Sequence, residues 1–465
     1  MKHVKLALEH ENIEGLLVKE DDKHVVIKLS SGYNIGILRS RIKKIEDIHS
    51  HSELVKEQSS ENVHKKIASH SDTENVLPKI LILHTGGTIA SKVDYQTGAV
   101  DAQFSPEDIL SMFPEMKDIA KIDSRLFRNM WSDDMRFSHY NLLAKEVEKE
   151  LKDDKDNGLK GIIITHGTDT LHYTGAALSF IFEHLPIPVV IVGSQRSSDR
   201  GSSDAAMNLI SAVAFIANTS LKGVFICMHE SMNDESCIML NGINARKMHS
   251  SRRDAFKPIN VPAIARVDYS TKNIDYLSEY PESSLNSQGS LKLHPFNESL
   301  KIGMLISHPH MHAEEFEIYM KGFDGLILEG TGLGHFPINE IDEHTKEHAK
   351  IHDALKGLCK KIPVVMSVQT VYGSVNMNVY SPGREMIDMG VLGNYSSLTS
   401  ETSFVKLAWL LSQRLDPKEW FMKDLRGEFL GKETESSNTK KDEPFNVEDF
   451  ANYCNTKNKE DKNLK

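Results

Sequence analysis

Between positions 79 and 368 apolar residues come in short continuous runs rather than in alternation with polar ones. The runs are Ile80–Leu83, Gly161–Thr165, Ile187–Val192, Gly223–Met228, Ile302–Ile306, Gly325–Leu328 and Ile362–Val368. A strand with one wet face alternates with period two, whereas a run apolar at every position is buried on both faces, as in a parallel sheet. Helix-length segments such as Leu171–Phe182 and Asp204–Ile216 separate the runs, which predicts βαβ units. Open sheets of this kind bind ligands outside the carboxyl ends of their strands. The residues just after each run are therefore where chemistry is expected.

The first stretch is patterned differently. Gly15–Lys19, Val25–Leu29 and Asn34–Leu38 are rich in Val, Ile and Leu, and turn chemistry at Glu20-Asp21-Asp22-Lys23 and Ser30-Ser31-Gly32 separates them. Strands this close, with no helix between them, predict a small antiparallel β-barrel over residues 1–48. A polar linker follows over 49–78. A dip rich in Ser, Asn, Tyr and Pro at Tyr269–Leu293 divides two α/β lobes, 79–290 and 291–430. The polar composition of 431–465 predicts a flexible tail. The expected fold class is α/β: a two-lobed parallel-sheet core preceded by a small antiparallel barrel.

Composition narrows the function. A chain of 465 residues has room for two to four domains, and a net charge of −11 argues against gripping nucleic acid by bulk charge. No uncharged apolar run approaches the roughly 18–20 residues of a spanning helix. The opening MKHVKLALEHENIEG has no signal-peptide core, so a cytoplasmic location without membrane attachment is expected. Cys227, Cys237, Cys359 and Cys454 form no CxxC pair and read as buried structural thiols in a reducing compartment.

Two strand ends carry hydroxyls in glycine turns. The first is His84-Thr85-Gly86-Gly87-Thr88-Ile89-Ala90, and the second is Thr165-His166-Gly167-Thr168-Asp169-Thr170. Each threonine alone reads equally as a helix cap. Two such turns after two parallel strands favour a shared site. A threonine hydroxyl is a weak nucleophile until a base takes its proton. Lys247, in Arg246-Lys247-Met248-His249, serves as that base only if its pKa is depressed. Beside Asp169 it forms an ion pair, and with Thr168 on its other side it relays a proton; elsewhere it is a solvated charge.

TGGTIA at 85–90, THGTDT at 165–170 and NGINARKMHSSRRDAF at 241–256 resemble the bacterial-type L-asparaginase and glutaminase family, over about 79–425. GYNIGIL (32–38), GSQRSSDRGSSDAAMNL (193–209), EGTGLGH (329–335) and VNMNVYSPGR (375–384) are similar to one branch, the D subunits of archaeal glutamyl-tRNA(Gln) amidotransferase. The resemblance implies an asparaginase-like core. It makes Thr88 the first catalytic threonine, Thr168 and Asp169 the second threonine and its aspartate, and Lys247 the lysine. Tyr95 falls where a mobile-loop tyrosine assists the first threonine, and Ser132 where a serine holds the substrate's α-carboxylate. Gly87 and Gly167 line the substrate turns, and Asp169 also holds the α-amino group. Glu401 falls where simple asparaginases have a glutamate near the first threonine. Members of this branch hydrolyse glutamine, with no cofactor or metal of their own. An E subunit binds Glu-tRNA(Gln), uses ATP and Mg, and receives the ammonia. A homodimer within a heterotetramer is implied.

The resemblance favours Thr88 as nucleophile, with Thr168 activated by Lys247 as the opposite assignment. A stand-alone L-asparaginase is the competing function; the N-terminal domain weighs against it. Three further motifs carry weaker signals. His308-Pro309-His310-Met311-His312 lacks an acidic or thiol ligand at a supporting spacing and reads as a surface loop. Glu329 before Gly330-Thr331-Gly332-Leu333-Gly334 disfavours a phosphate loop, and Arg252-Arg253 reads as a solvated pair.

Overall fold

The computed structural model describes residues 2–8, 12–29, 34–47, 77–87, 91–93, 100–102, 112–154, 158–198, 202–278 and 289–429. The expected tail and residues 49–76 of the expected linker lie outside them.

Five short strands form the N-terminal sheet, in the order Asn34–Leu38, His24–Lys28, Asn12–Glu20, His3–Ala7, Lys44–Asp47, every pair antiparallel. Alternate residues build its core: Val4 and Leu6, Val25 and Ile27, and Ile37. Here the expected barrel is corrected to a sheet. Among the described residues nothing pairs Asn34–Leu38 with Lys44–Asp47. The chain makes the short turn Arg39–Arg41 and returns to pair with His3–Ala7 instead, so that among the described residues both strands are edges.

The main sheet has eight strands: Ile274–Tyr276, Ala265–Asp268, Ser236–Asn241, Gly223–His229, Pro188–Val192, Leu159–Thr165, Lys79–His84 and Lys121–Leu126. The last five are parallel; the first three join by antiparallel ladders. The sheet is therefore mixed, and the parallel expectation holds for its central and far strands. Continuous apolar runs arise because both faces are covered. Leu81 and Leu83 point into a core shared with the helices Leu171–Ile181 and Ser400–Ser412. Ile80 and Ile82 point into the opposite core, against the helix Ala205–Asn218. Each fully buried aliphatic side chain contributes about 1.5–3 kcal/mol.

The second lobe centres on three parallel strands, Ile302–Ile306, Gly325–Gly330 and Val364–Val368. Ile327 and Val365 from this sheet join Val405, Leu407, Ala408 and Leu410 of the Ser400–Ser412 helix in the same core as Leu81 and Leu83. That helix is the keystone between the lobes. Among the described residues no helix is long and apolar enough to cross a membrane. Cys227 and Cys237 are buried free thiols and Cys359 is half-buried; Cys454 lies outside the described residues.

Candidate active site

Strand pairing brings the two glycine turns together. Lys79–His84 and Leu159–Thr165 run parallel with His84 beside Thr165, so both turns leave the sheet at the same end. Thr85 donates to Thr165 O through its backbone N–H (3.1 Å) and its hydroxyl (2.8 Å). Gly87 is left-handed, with φ +80°, and a Cβ there would lie 2.5 Å from Gly167 N. Both backbone conformation and space therefore require glycine. A Cβ on Gly167 would meet Ser132 Oγ at 2.9 Å, and Thr170 Oγ1 donates to Ser132 O at 2.6 Å. Gly87, Gly167 and Ser132 thus touch one another in sequence.

Lys247 reaches this place on a short ribbon, Ala245–Lys247 against Phe256–Pro258. The loop before it is pinned from the second lobe's side: Thr402 Oγ1 donates to Ile243 O (2.7 Å) and Asn244 Nδ2 donates to Glu428 O (3.0 Å). Lys247 Nζ donates to Thr168 Oγ1 at 2.9 Å and to Asp169 Oδ1 at 2.6 Å. The lysine side chain is 10 % exposed and the aspartate 64 %. An ammonium against a hydroxyl in a sheltered site favours the alkoxide and any oxyanion formed nearby. The carboxylate beside it stays open to an incoming cationic group.

A buried histidine stiffens the second turn. His166 Nδ1 lies 2.7 Å from Gly167 O, which accepts, so the proton sits on Nδ1. Nε2 then accepts from Thr174 Oγ1 at 2.8 Å. Burial pushes its pKa down to about 4, so the ring is neutral at pH 7.

The structure brings together Thr168, Asp169, Lys247, Ser132, Gly87 and Gly167. Thr88 and Tyr95 lie outside the described residues. Glu401 is buried at the start of the Ser400–Ser412 helix, 3.0 Å from Arg246 Nε and 3.8 Å from His172 Nε2. Burial alone raises its pKa, but His172 and Arg246 outweigh that and hold the carboxyl at about 2. Its partner is therefore the residue next to Lys247, an arrangement that sequence spacing does not display. His166 and Arg246 come to the site as chain neighbours of Gly167 and Lys247, inside motifs the sequence displays; Gln195, in the 193–209 motif, reaches Thr168 only by tertiary approach.

Two of the weaker motifs look different in three dimensions. His312 has acidic neighbours after all: its ring nitrogen and carboxylate oxygens of Glu314 and Glu347 lie within 4.8 Å of one another, because the loop folds against the Lys346–Cys359 helix. Glu347 is tied to Lys350 at 2.8 Å on this exposed surface. The Arg252-Arg253 pair is not simply solvated: Arg252 makes a fork to Asp254 and Arg253 pairs with Asp234. Glu329 accepts from Ser400 Oγ at 2.8 Å, which spends the end of the EGTGLGH strand on structure.

Residues 79–281 match the family model "Asparaginase, N-terminal", 301–420 the "Glutaminase/Asparaginase C-terminal domain", and 2–48 the "GatD N-terminal domain". The chain is 39 % identical over 442 residues to the D subunit of the glutamyl-tRNA(Gln) amidotransferase of Methanococcus vannielii, covering 91 % of this chain and 96 % of that protein. To the protein of the same name from Archaeoglobus fulgidus it is 37 % identical, with 92 % and 94 % covered. Among solved structures, the thermostable L-asparaginase from Thermococcus kodakarensis superposes with a TM-score of 0.64 at 29 % identity, over 76 % of this chain and all of that one. L-asparaginase I from Vibrio cholerae gives 0.63 at 27 %, over 76 % and 99 %.

Proposed function

The chain belongs to the family of glutamyl-tRNA(Gln) amidotransferase D subunits, an asparaginase-type lineage, and from that premise we propose that it is the glutaminase of a tRNA-dependent amidotransferase. The observation that carries this is Lys247 Nζ bonded at once to Thr168 Oγ1 and Asp169 Oδ1 beside the Gly87–Gly167 contact. Such a group suits acyl transfer at a side-chain amide.

In the proposed reaction a threonine hydroxyl attacks the carboxamide carbon of glutamine. The carbonyl becomes an oxyanion, the C–N bond breaks, and ammonia leaves with a donated proton. Water then cleaves the ester to release glutamate and restore the hydroxyl. Backbone N–H groups in the glycine turns suit the oxyanion; each such donor contributes roughly 3–4 kcal/mol. Thr88 is the proposed nucleophile, with Tyr95 taking its proton. Thr168, Asp169 and Lys247 polarise the amide and activate the deacylating water. Ser132 holds the α-carboxylate and Asp169 the α-amino group. Mass spectrometry of a trapped acyl-enzyme tests the assignment, and an ester on Thr168 reverses it.

Free ammonia is largely protonated at neutral pH and then cannot attack an activated ester. The proposed partner, an E subunit holding Glu-tRNA(Gln) and using ATP and Mg, must therefore receive it by a sheltered route. A homodimer of this chain with two such partners is the proposed assembly, in the cytoplasm. The test is co-purification of the tagged chain, then glutamine and asparagine hydrolysis with and without Glu-tRNA(Gln) and ATP. Low activity alone that rises with partner and tRNA supports the reading. Full activity alone with a preference for asparagine supports the stand-alone asparaginase.

A further inference from the structure

The segment Gly193-Ser194-Gln195-Arg196 follows the Pro188–Val192 strand and has no part in the mechanism above, yet it is held firmly beside Thr168. Asp204, fully buried, is its anchor. Both carboxylate oxygens accept from Gln195 N (3.0 Å each), Oδ1 accepts from Arg196 N (3.1 Å), and Oδ2 accepts from Asn208 Nδ2 (3.1 Å). Asn208 Nδ2 also donates to Gly193 O at 3.0 Å. With Ser194 Oγ also donating to Oδ1 at 3.0 Å, charge-assisted bonds to four donors fix the turn.

What the turn presents is the Gln195 side chain. Its Oε1 lies 3.5 Å from Thr168 Oγ1, a long contact that leaves acceptor capacity unused. Its Nε2 is buried and, among the described residues, has no hydrogen-bond partner. A shielded amide donor with no acceptor is disfavoured until something fills it. Beside Thr168, the candidate to fill it is the group under attack.

We propose that Gln195 contacts the side-chain carboxamide of the bound substrate and sets the preference for amide over carboxylate. This rests on the amidohydrolase reading. Gln195 offers a donor and an acceptor side by side. A carboxamide satisfies both, its carbonyl accepting from Nε2 and its NH2 donating to Oε1. A carboxylate has no N–H to give, so one of its oxygens faces Oε1 with like partial charge. The product glutamate is therefore held less well than glutamine, which favours its release.

The test uses the full chain with its co-purified partner. Glutamine hydrolysis is measured for the wild type, Gln195→Leu and Gln195→Glu, with glutamate as competing inhibitor and circular dichroism to check folding. Gln195→Leu is expected to raise KM for glutamine about tenfold and leave glutamate inhibition unchanged or stronger. Gln195→Glu, of equal size, is expected to be impaired at pH 8 and to recover as pH falls, because the protonated carboxyl regains a donor. Folded variants with wild-type KM and wild-type glutamate inhibition would overturn the proposal while leaving the amidohydrolase reading intact. A wild type that hydrolyses no side-chain amide overturns that reading, and this one with it. If the leucine variant does not fold, the glutamate variant's pH profile decides.

Discussion

Two lysine–carboxylate pairs share their chemistry and differ in access and in their further partners. Lys247 meets Asp169 at 2.6 Å and Lys406 meets Glu428 at 2.5 Å. Asp169 is 64 % exposed, whereas both side chains of the second pair are sealed from solvent. Lys247 gives its second hydrogen bond to a hydroxyl, Thr168. Lys406 gives its second to the Lys423 carbonyl (2.7 Å) and lies over the rings of Phe421 and Phe429. Glu428 also accepts from the backbone N–H groups of Leu425 and Arg426. Burial lowers the Lys406 pKa. Burial pushes Glu428 up, but Lys406 and its hydrogen-bond partners hold it below the usual range. The second pair is a strut that fastens residues 421–429 to the Ser400–Ser412 helix. The first leaves its carboxylate exposed to solvent and gives its ammonium a hydroxyl as second partner. Access and the third partner, rather than the ion pair, separate chemistry from structure.

The comparison breaks if the two lysines respond alike. Lys247→Met is expected to lower kcat/KM for glutamine about 10³-fold or more, with a melting midpoint close to wild type. Lys247→Arg should not rescue it, since a guanidinium does not give up its proton. Ammonia release and thermal unfolding check the pair of expectations. Lys406→Met should do the reverse. It leaves Glu428 charged and unpaired in a sealed site, at a cost of about 3–5 kcal/mol by chemical denaturation. The folded fraction should keep its turnover. Adding Glu428→Gln removes the stranded charge while preserving shape, and should return part of that stability. A Lys406→Met protein as stable as wild type but inactive would contradict the distinction.

How much of this is legible in the sequence follows the same division. The strand ends that carry Thr168 and Asp169 are marked by continuous apolar runs, because Ile162 and Ile164 face one core and Ile163 the other. The short strands Ala265–Asp268 and Ile274–Tyr276 have no such run, so the antiparallel end of the sheet goes unannounced. Val25 and Ile27 announce a strand but not closure, since a sheet and a barrel share one alternation, and the strand His3–Ala7 that pairs with Lys44–Asp47 is not among those expected. The strut is invisible in sequence: Lys406 sits in FVKLAWLL as one charge in an apolar helix, and its partner is 22 positions away. Gln195 lies in a distinctive motif, yet the approach of its side chain to Thr168 depends on two different strand ends meeting.

The contrast between sealed and open groups sharpens inside the site through His166. Its ring titrates at about 4 when folded, against about 6.5 in the unfolded chain. Below pH 6.5 the unfolded chain takes up a proton that the folded one refuses. Stability from this group is thus full above pH 6.5 and falls as pH drops toward 4, by about 3 kcal/mol at most. Denaturation of wild type at pH 7 and pH 5, beside His166→Asn, checks this. The asparagine keeps a donor for Gly167 O and should show a shallower dependence. Parallel curves would mean that the acid sensitivity lies elsewhere.

The smallest effect expected belongs to Glu401, which is sealed like the strut but acts next to the site. Its carboxylate holds Arg246 at 3.0 Å, and Arg246 directly precedes Lys247 on the ribbon. Glu401→Gln keeps the shape and removes the charge that fixes Arg246. Lys247 then loses a neighbour's restraint, not a partner, so turnover should fall about 5–20-fold, worth about 1–2 kcal/mol. KM should change little, because Ser132 and Asp169 are untouched. Since Glu401 titrates near 2, it is ionised throughout the working range, and the loss should be the same at pH 6 and pH 9. A structural defect and a positioning defect part company in the double variant. If Glu401 acts through Arg246, Glu401→Gln added to Arg246→Met costs no further turnover. If the two losses multiply, Glu401 serves the helix and not the lysine. It would then belong with Lys406 on the sealed side of the comparison.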